Sequence, residues 1–273
     1  MTAVAAATRA APRRASSRGW AVVAQQELRD LWIGGRGLAL SVAFSLLLSV
    51  IAYLVATNRA LNFLEQRESV NLTLQVAIAV GGLLALLVAA DSVSGERERG
   101  TLEGLLLAPV SRRQIAVGKL IAAVSLWVAA FVITIPYVWF LGRGVGIVGV
   151  ALWTGIVVGT LLAITLISLG LLISTFTASN RVSLSVSFFV LLALFAPTQL
   201  PSSAQQGWAG ELLLRINPLT AGEHYVGKIV TNAHGWHEDL SWLVSPAIAA
   251  VLSTALALGL AAPLIRLRGG VSK

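Results

Sequence analysis

Cysteine is absent from this 273-residue chain, so a disulfide framework and a thiolate metal site are both excluded. Charge is also scarce, because 12% of the residues are Asp, Glu, Lys or Arg, against roughly 25% in soluble proteins. Hydrophobic residues make up 56% of the chain. This composition excludes zinc fingers and thiol enzymes, and it predicts an integral membrane protein.

The chain also lacks a complete phosphate-binding loop of the GxxxxGK[ST] type. Its two Gly-Lys pairs, Gly118-Lys119 and Gly227-Lys228, are followed by Leu120 and Ile229, where magnesium binding requires a hydroxyl. We therefore expect the chain to hydrolyse no ATP and to bind no cofactor of its own.

Six apolar runs of about 20 residues, the length that crosses roughly 30 Å of hydrocarbon as a helix, predict six transmembrane helices. The runs cover residues 38–57, 72–90, 115–140, 147–173, 182–200 and 242–265. The predicted fold class is an all-α integral membrane protein with a transmembrane domain over 38–265 and an external loop over 201–241. We expect the cores of the runs to bury no ionisable residue, which disfavours an ion-coupled carrier.

Basic residues are distributed unevenly between the two sides of these runs. The side that holds both termini carries 15 Lys and Arg residues, and the other side carries five. Because cytoplasmic loops are enriched in Lys and Arg, both termini are predicted to be cytoplasmic in a multi-pass protein of the inner (plasma) membrane. The basic residues do not cluster with aromatic residues on one soluble face, so no nucleic-acid partner is expected.

The segments outside the runs differ in character. Residues 1–18 are rich in Ala, Arg and Ser and are predicted to form a disordered cytoplasmic tail, and residues 266–273 form a second cytoplasmic tail. Within 19–37, apolar residues recur at helical spacing, as in an amphipathic helix that lies in the membrane interface. The alternative is an ordinary helix beside the membrane without a mechanical role.

A charged segment separates the second and third runs. Residues 91–113 carry eight ionised side chains, which would cost on the order of 20 kcal/mol inside hydrocarbon, so the segment is predicted to lie in water. Within it, Gly100 and Thr101 lead into a predicted short helix with Glu103 in its first turn and its end before Pro109. The alternative is a merely solvated loop, which would not need three consecutive leucines at 105–107.

Other small or polar residues give weaker signals. His234 and His237 could meet on one helix face as metal ligands, but an exposed polar loop without a third ligand explains them equally well, and we expect no metal. Stripes of small residues indicate close packing between helices or between subunits, and contact with substrate is the alternative. These small residues are Ser41, Ser45, Ser49, Gly155 and Gly159.

The charged segment and the start of the third apolar run contain a series of short motifs in a fixed order. They are Glu96-Arg97-Glu98, Gly100-Thr101-Leu102-Glu103, Leu105-Leu106, Pro109, Ser111-Arg112 and Gly118-Lys119. Together with the six runs, the basic segment before them and Asn217-Pro218 in the last external loop, the series resembles the permease subunits of ABC type-2 exporters. Asn217 and Pro218 are expected to have a structural role in that loop.

The resemblance implies two kinds of subunit. Two copies of the permease would sit on two copies of a separately encoded ATPase, which binds ATP and Mg, and the helix at 100–107 would be a coupling helix that docks into the ATPase. Charged contacts to the ATPase would come from Glu96, Arg97, Glu98 and Glu103. An apolar anchor would come from Leu102, Leu105 and Leu106, and the lipid headgroups would hold Arg112, Arg113 and Lys119.

Three functions stay open at this point. The first is an exporter subunit that moves an apolar or amphipathic substrate outward. The second is a permease-like subunit that serves the maturation of an extracytoplasmic metalloenzyme. The third is a membrane scaffold or channel that acts without ATP.

Overall fold

The computed structural model describes residues 19–57, 63–199 and 207–265, and every regular element in these ranges is helical. The helices are α1 (Gly19–Trp32), α2 (Arg36–Thr57), α3 (Phe63–Arg99), α4 (Leu102–Leu107), α5 (Arg112–Gly142), α6 (Val148–Phe176), α7 (Asn180–Phe195), α8 (Trp208–Ile216), α9 (Pro218–Val230) and α10 (Val244–Leu256). A short 3₁₀ segment (Ala196–Gln199) follows α7, and another (Leu240–Leu243) precedes α10. After α10 the chain continues as a π segment (Ala257–Ala261) and a further 3₁₀ segment (Ala262–Leu264). The predicted tails, 1–18 and 266–273, lie outside the described residues, as do residue 200 of the fifth run and residues 201–206 of the predicted external loop.

Six segments of the described chain are long and apolar enough to cross a membrane, which confirms the predicted fold class. They are Arg36–Thr57, Gln66–Arg99, Arg112–Gly142, Val148–Phe176, Asn180–Thr198 and Leu240–Leu264. The second run, 72–90, is predicted too short, because α3 contains 37 residues. A helix of that length extends about 55 Å, well beyond the roughly 30 Å of hydrocarbon. The first part of the charged segment therefore continues this helix.

The centre of the bundle is formed by α3, α5 and α6, which share one buried apolar cluster. On α6, a Cβ added to Gly155 would lie 2.6 Å from Cδ1 of Leu74, and a Cβ added to Gly159 would collide with the indole of Trp127. The two glycines therefore let α6 approach α3 and α5 within one chain.

The serine stripe of α2 faces α5. The hydroxyl oxygens of Ser45 and Ser49 lie 3.0 and 2.8 Å from the hydroxyl oxygen of Tyr137. The Ser41 hydroxyl is buried and has no hydrogen-bond partner within the described ranges. Two of the three serines thus join helices within the chain, and contact of the stripe with a second copy or a substrate stays a prediction.

Between α7 and α10, the described chain forms two short helices joined at Asn217. The Oδ1 of Asn217 accepts hydrogen bonds from the N–H groups of Leu219 and Thr220 at 2.9 and 3.3 Å, and its Nδ2 donates to the carbonyl of Leu194 at 2.8 Å. Pro218 is the first residue of α9. An N–H group at this position has no acceptor within the helix, so proline, which lacks the N–H, costs no hydrogen bond here. Asn217 therefore caps α9 and ties it to α7.

His234 lies after α9 and takes part in a polar cluster with Asp239. Its Nδ1 is 2.8 Å from Oδ2 of Asp239, and Lys228 donates to Oδ1 of the same carboxylate at 2.7 Å. Hydrogen bonds from Lys228 and His234 hold the pKa of Asp239 below its usual range. The His237 ring instead lies against Trp236, with ring centroids 4.0 Å apart.

Candidate functional site

The chain turns sharply between α3 and α4. Gly100 has a φ of +73°, a conformation that favours glycine. Its N–H donates to the carbonyl of Arg97 at 3.4 Å, and the N–H of Thr101 donates to the carbonyl of Glu96 at 3.0 Å. This pair of bonds is the Schellman motif, which ends a helix and redirects the chain. The short helix α4 follows and begins at Leu102, two residues after the predicted start.

One side of α4 is buried inside this chain. Leu102 is fully buried in an apolar cluster with residues of α1, α3, α5, α6 and the segment that follows α10. Leu105 and Leu106 pack against the same cluster. The side chain of Leu102 is therefore not available to anchor a partner in this conformation, contrary to the prediction.

The other side of α4 is open. Glu103 and Gly104 are exposed, and Leu107 is 86% exposed. The sequence does not single out Leu107, because three consecutive leucines do not by themselves show which one faces outward. Glu103, Gly104 and Leu107 form the outer face of α4.

Charged residues at the end of α3 hold the turn between α6 and α7. Arg97 donates from Nη1 to the carbonyl of Thr177 at 2.6 Å, directly after α6. Glu98 accepts at Oε1 from the N–H of Asn180 at 2.8 Å, at the start of α7. A cation at a helix C-terminus and an anion at an N-terminus both complement the helix dipole. Both side chains are thus engaged within the chain, whereas the resemblance implies contacts to an ATPase.

Lys119 lies inside the protein, with 1% of its side chain exposed. Its Nζ is 2.6 Å from Oε1 of Glu27 on α1 and 2.6 Å from Oε1 of Glu96 on α3. Two predictions are therefore wrong: Lys119 does not reach the headgroups, and the third apolar run does bury an ionisable group. The physical reason is pairing, since two carboxylates offset the desolvation of the ammonium.

Helix α1 rests directly on the start of α5. Val23 and Ala24 are buried there, and a Cβ added to Gly118 would lie 2.6 Å from Cγ1 of Val23 and 2.9 Å from the backbone N of Ala24. Part of the apolar face that is predicted to enter the membrane interface thus packs on protein. The close approach at Gly118 also brings Glu27 within reach of Lys119.

A second ion cluster joins α2 to α3. The Oδ2 of Asp91 is 2.7 Å from Nη1 of Arg36, and its Oδ1 is 3.5 Å from Nη1 of Arg99. The Asp91 side chain is 7% exposed, so the first residue of the charged segment is buried in protein and not in water as predicted.

Between α1, α3, α4 and α5 lies a cavity of about 630 Å³. Both signs of charge line it, and so do apolar side chains such as Val23, Leu31 and Val88. Gly104 and Leu105 of α4 form part of its wall, so a displacement of α4 would change its shape. The charged lining residues are Glu27, Asp30, Arg36, Asp91, Glu96, Arg99 and Lys119.

The chain enters α5 through a capping box that follows Pro109. The Ser111 hydroxyl accepts from the N–H of Gln114 at 3.3 Å, and the Gln114 side chain accepts from the N–H of Ser111 at 2.9 Å. Arg112 donates to the carbonyl of Pro263 at 2.6 Å, which joins α5 to the segment after α10. Arg113 is exposed.

Hydroxyl groups join α3 to α6 and α7 just before the charged turn. The Ser174 hydroxyl of α6 accepts from the N–H groups of Val93 and Ser94 at 3.0 and 2.9 Å. The carbonyl of Ala90, one turn earlier on α3, accepts from the hydroxyls of Ser94 and Ser183. These bonds tie the end of α3 to both neighbouring helices.

Comparison with known proteins identifies the family of the chain. The ABC-2 family of transporter proteins matches residues 21–264 of the chain. A protein of Stutzerimonas stutzeri named probable ABC transporter permease protein NosY is 37% identical over 95 residues. The match spans 34% of this chain and 33% of that protein. From the match over 21–264, together with the six-span bundle, the chain belongs to the ABC-2 family of transporter proteins.

Proposed function

We propose that this chain is the transmembrane permease subunit of an ABC exporter and that a separate ATPase subunit docks on the outer face of α4. The observation that carries the proposal is the two-sided construction of α4. Leu107 projects outward beside Glu103, while Leu102 is fixed among several helices of the bundle. An exposed apolar anchor with a neighbouring charge is suited to a specific protein contact.

Force on α4 would reach the spans by three routes. The buried Leu102 transmits it to the surrounding apolar cluster. The turn at Gly100 transmits it to α3, and from α3 it passes to α5 and α1 through Lys119. The bonds of Arg97 and Glu98 carry it to α6 and α7. Because packed helices shift as discrete elements, closure of two ATPases would repack the spans.

In this proposal ATP and Mg bind to the partner. Gly222, Gly227 and Lys228 have the spacing of a phosphate-binding loop, but Ile229 stands where the loop needs a hydroxyl. All four residues lie within helix α9, and none lies in a loop after a strand. This supports assigning ATP hydrolysis to a separate subunit.

We further infer that the end of the bundle with α4 is cytoplasmic, as the distribution of basic residues predicts. The chain has no cysteine, so a single introduced cysteine is its only thiol and reports the side of the membrane on which that residue lies. With an impermeant reagent, Gly104→Cys should be protected and Glu238→Cys labelled in intact cells, since both positions are exposed. The opposite pattern would reverse the topology.

The proposed substrate is apolar or amphipathic, and the direction of transport is outward. The mixed lining of the cavity between α1 and α4 supports an amphipathic substrate, because apolar walls and ion pairs meet in one space. The outward direction rests on the resemblance of residues 96–119 to exporter permeases.

The proposed assembly contains two permeases and two ATPases, because each chain offers one α4 while ATP sites of this type form between two ATPases. The tagged chain should be purified in mild detergent from its own host and the intact complex weighed by native mass spectrometry. A two-plus-two mass is expected. A stable one-to-one complex with full ATPase coupling would contradict the proposal.

A further inference from the structure

A polar cavity of about 350 Å³ lies at the end of the bundle opposite α4. Its walls come from the first turns of α3 and from α8 and α9. Glu68, in this wall, is separated from Glu96 by 28 residues of α3, or about 40 Å of helix. The cavity is therefore distinct from the site at α4 and plays no part in the proposed coupling.

Glu223 supplies an unpaired carboxylate to this cavity. It lines the wall, yet its side chain has no hydrogen bond or ion pair with any described residue. Burial raises the pKa of Glu223 to about 7, because nothing nearby offsets the desolvation of the charged form.

The neighbouring charged groups are already engaged. Glu68 accepts a hydrogen bond from the Thr231 hydroxyl at 3.0 Å, and Lys228 donates to Asp239 at 2.7 Å. His224 stacks on Trp242 with ring centroids 4.4 Å apart, and burial lowers the pKa of His224. Among the described residues, these contacts leave Glu223 as the unpaired ionisable group of the cavity.

A second unpaired group lies one helical turn before Glu223. Thr220 lines the same cavity and is 5% exposed, and its hydroxyl has no partner within the described parts of the chain. A buried polar atom without a partner costs free energy, commonly about 1–3 kcal/mol, unless a ligand or water satisfies it. Residues three apart on a helix share one face, so both unpaired groups face the same space.

We propose that this cavity binds a primary ammonium group, with Glu223 as its counter-ion and the Thr220 hydroxyl as a second acceptor. An ionised carboxylate accepts hydrogen bonds and favours a positively charged donor, and the Thr220 hydroxyl can accept a further hydrogen bond. An ammonium meets both requirements. Within the described residues there is no group of three His, Cys, Asp or Glu placed to hold a metal ion, which argues against a metal.

The test uses the full chain in nanodiscs of phosphatidylcholine, with ethylammonium as the probe and isothermal titration calorimetry as the measurement. Empty nanodiscs provide the blank. Ethylammonium should bind saturably, whereas tetramethylammonium, which has the charge but no N–H, should bind at least tenfold more weakly. With a pKa of about 7, roughly a tenth of Glu223 is ionised at pH 6 and nine-tenths at pH 8, so binding should be about tenfold tighter at pH 8.

Three variants separate the cavity from general charge effects. Glu223→Gln keeps the side-chain shape and should abolish both the binding and its pH dependence. Thr220→Val should weaken binding and keep the pH dependence. Glu211→Gln is the matched control, because this exposed carboxylate on α8 pairs with Arg215 and does not line the cavity, and it should bind as the wild type does.

The proposal is overturned if ethylammonium does not bind, if Glu223→Gln binds it normally, or if Glu211→Gln loses binding equally. A final comparison identifies the source of the ammonium. If phosphatidylethanolamine in the nanodisc competes with ethylammonium, the natural ligand is a lipid headgroup. If it does not compete, the ligand is a soluble amine.

Discussion

The Nζ of Lys119 lies 2.6 Å from Oε1 of Glu96, so a buried ion pair joins the start of α5 to the end of α3. Glu27 completes the pair from α1, also at 2.6 Å. Three helices therefore meet at one ammonium group, directly beside the cavity that α4 helps to enclose. A displacement of α4 cannot move α3 without straining this contact.

Removal of the ammonium should destabilise the protein strongly. Lys119→Met leaves two largely buried carboxylates unpaired, and losing one partner of a buried pair commonly costs about 3–5 kcal/mol. Lys228→Met is the matched control, because Lys228 pairs with Asp239 but its side chain is 27% exposed. Thermal unfolding in detergent should show a clearly larger fall in melting temperature for Lys119→Met than for Lys228→Met.

The same experiment has a rescue arm. Adding Glu27→Gln and Glu96→Gln to Lys119→Met removes the uncompensated charges, so part of the lost stability should return. Equal losses for Lys119→Met and Lys228→Met, without rescue, would show that the cluster on α1, α3 and α5 is not a buried ion network.

Replacement by alanine should destabilise the protein at Gly118 and stabilise it at Gly149. A Cβ at Gly118 meets Val23 and the backbone of Ala24, so Gly118→Ala should destabilise by about 1–3 kcal/mol as α1 is forced away. Gly149 of α6 has no atom within 4 Å of the corresponding Cβ position, so Gly149→Ala should stabilise by up to about 1 kcal/mol through helix propensity. Chemical denaturation measures both, and a stabilising Gly118→Ala would contradict the close contact between α1 and α5.

The spans could be predicted from the sequence because apolar length alone specifies them. The length of α3 could not, since the charged residues that follow its apolar core bind partners that are distant in the sequence. Lys119 shows the same limit: Glu27 is 92 residues away, and neither residue reveals the other in the sequence. The helix start and stop signals did predict a short helix before Pro109, but they could not show that Leu102 faces inward and Leu107 outward.

Stability should depend on pH through Glu223. Its pKa is raised from 4.5 to about 7 in the folded protein, so the folded state binds more protons than the unfolded state between these values. Stability from this group is therefore present below about pH 4.5 and lost as the pH rises to about 7. The melting temperature of the wild type should therefore fall relative to that of Glu223→Gln as the pH rises through this range. A difference that is constant with pH would contradict the unpaired burial of Glu223.

The outer face of α4 can be tested without disturbing the fold, because Glu103 and Leu107 are exposed. Glu98 is unsuitable for such a test, since it caps α7 and its reversal would damage the permease itself. The informative variant is Glu103→Arg combined with Leu107→Asp. Glu211→Arg serves as a control of the same kind at the opposite end of the bundle.

The most direct measurement of coupling through α4 is substrate-stimulated ATP turnover of the complex reconstituted in liposomes, together with the amount of ATPase that stays bound. The account predicts that the α4 double variant folds normally, loses ATPase binding roughly tenfold or more, and loses stimulated turnover, while Glu211→Arg behaves as the wild type. Wild-type binding and turnover in the α4 double variant would contradict the account.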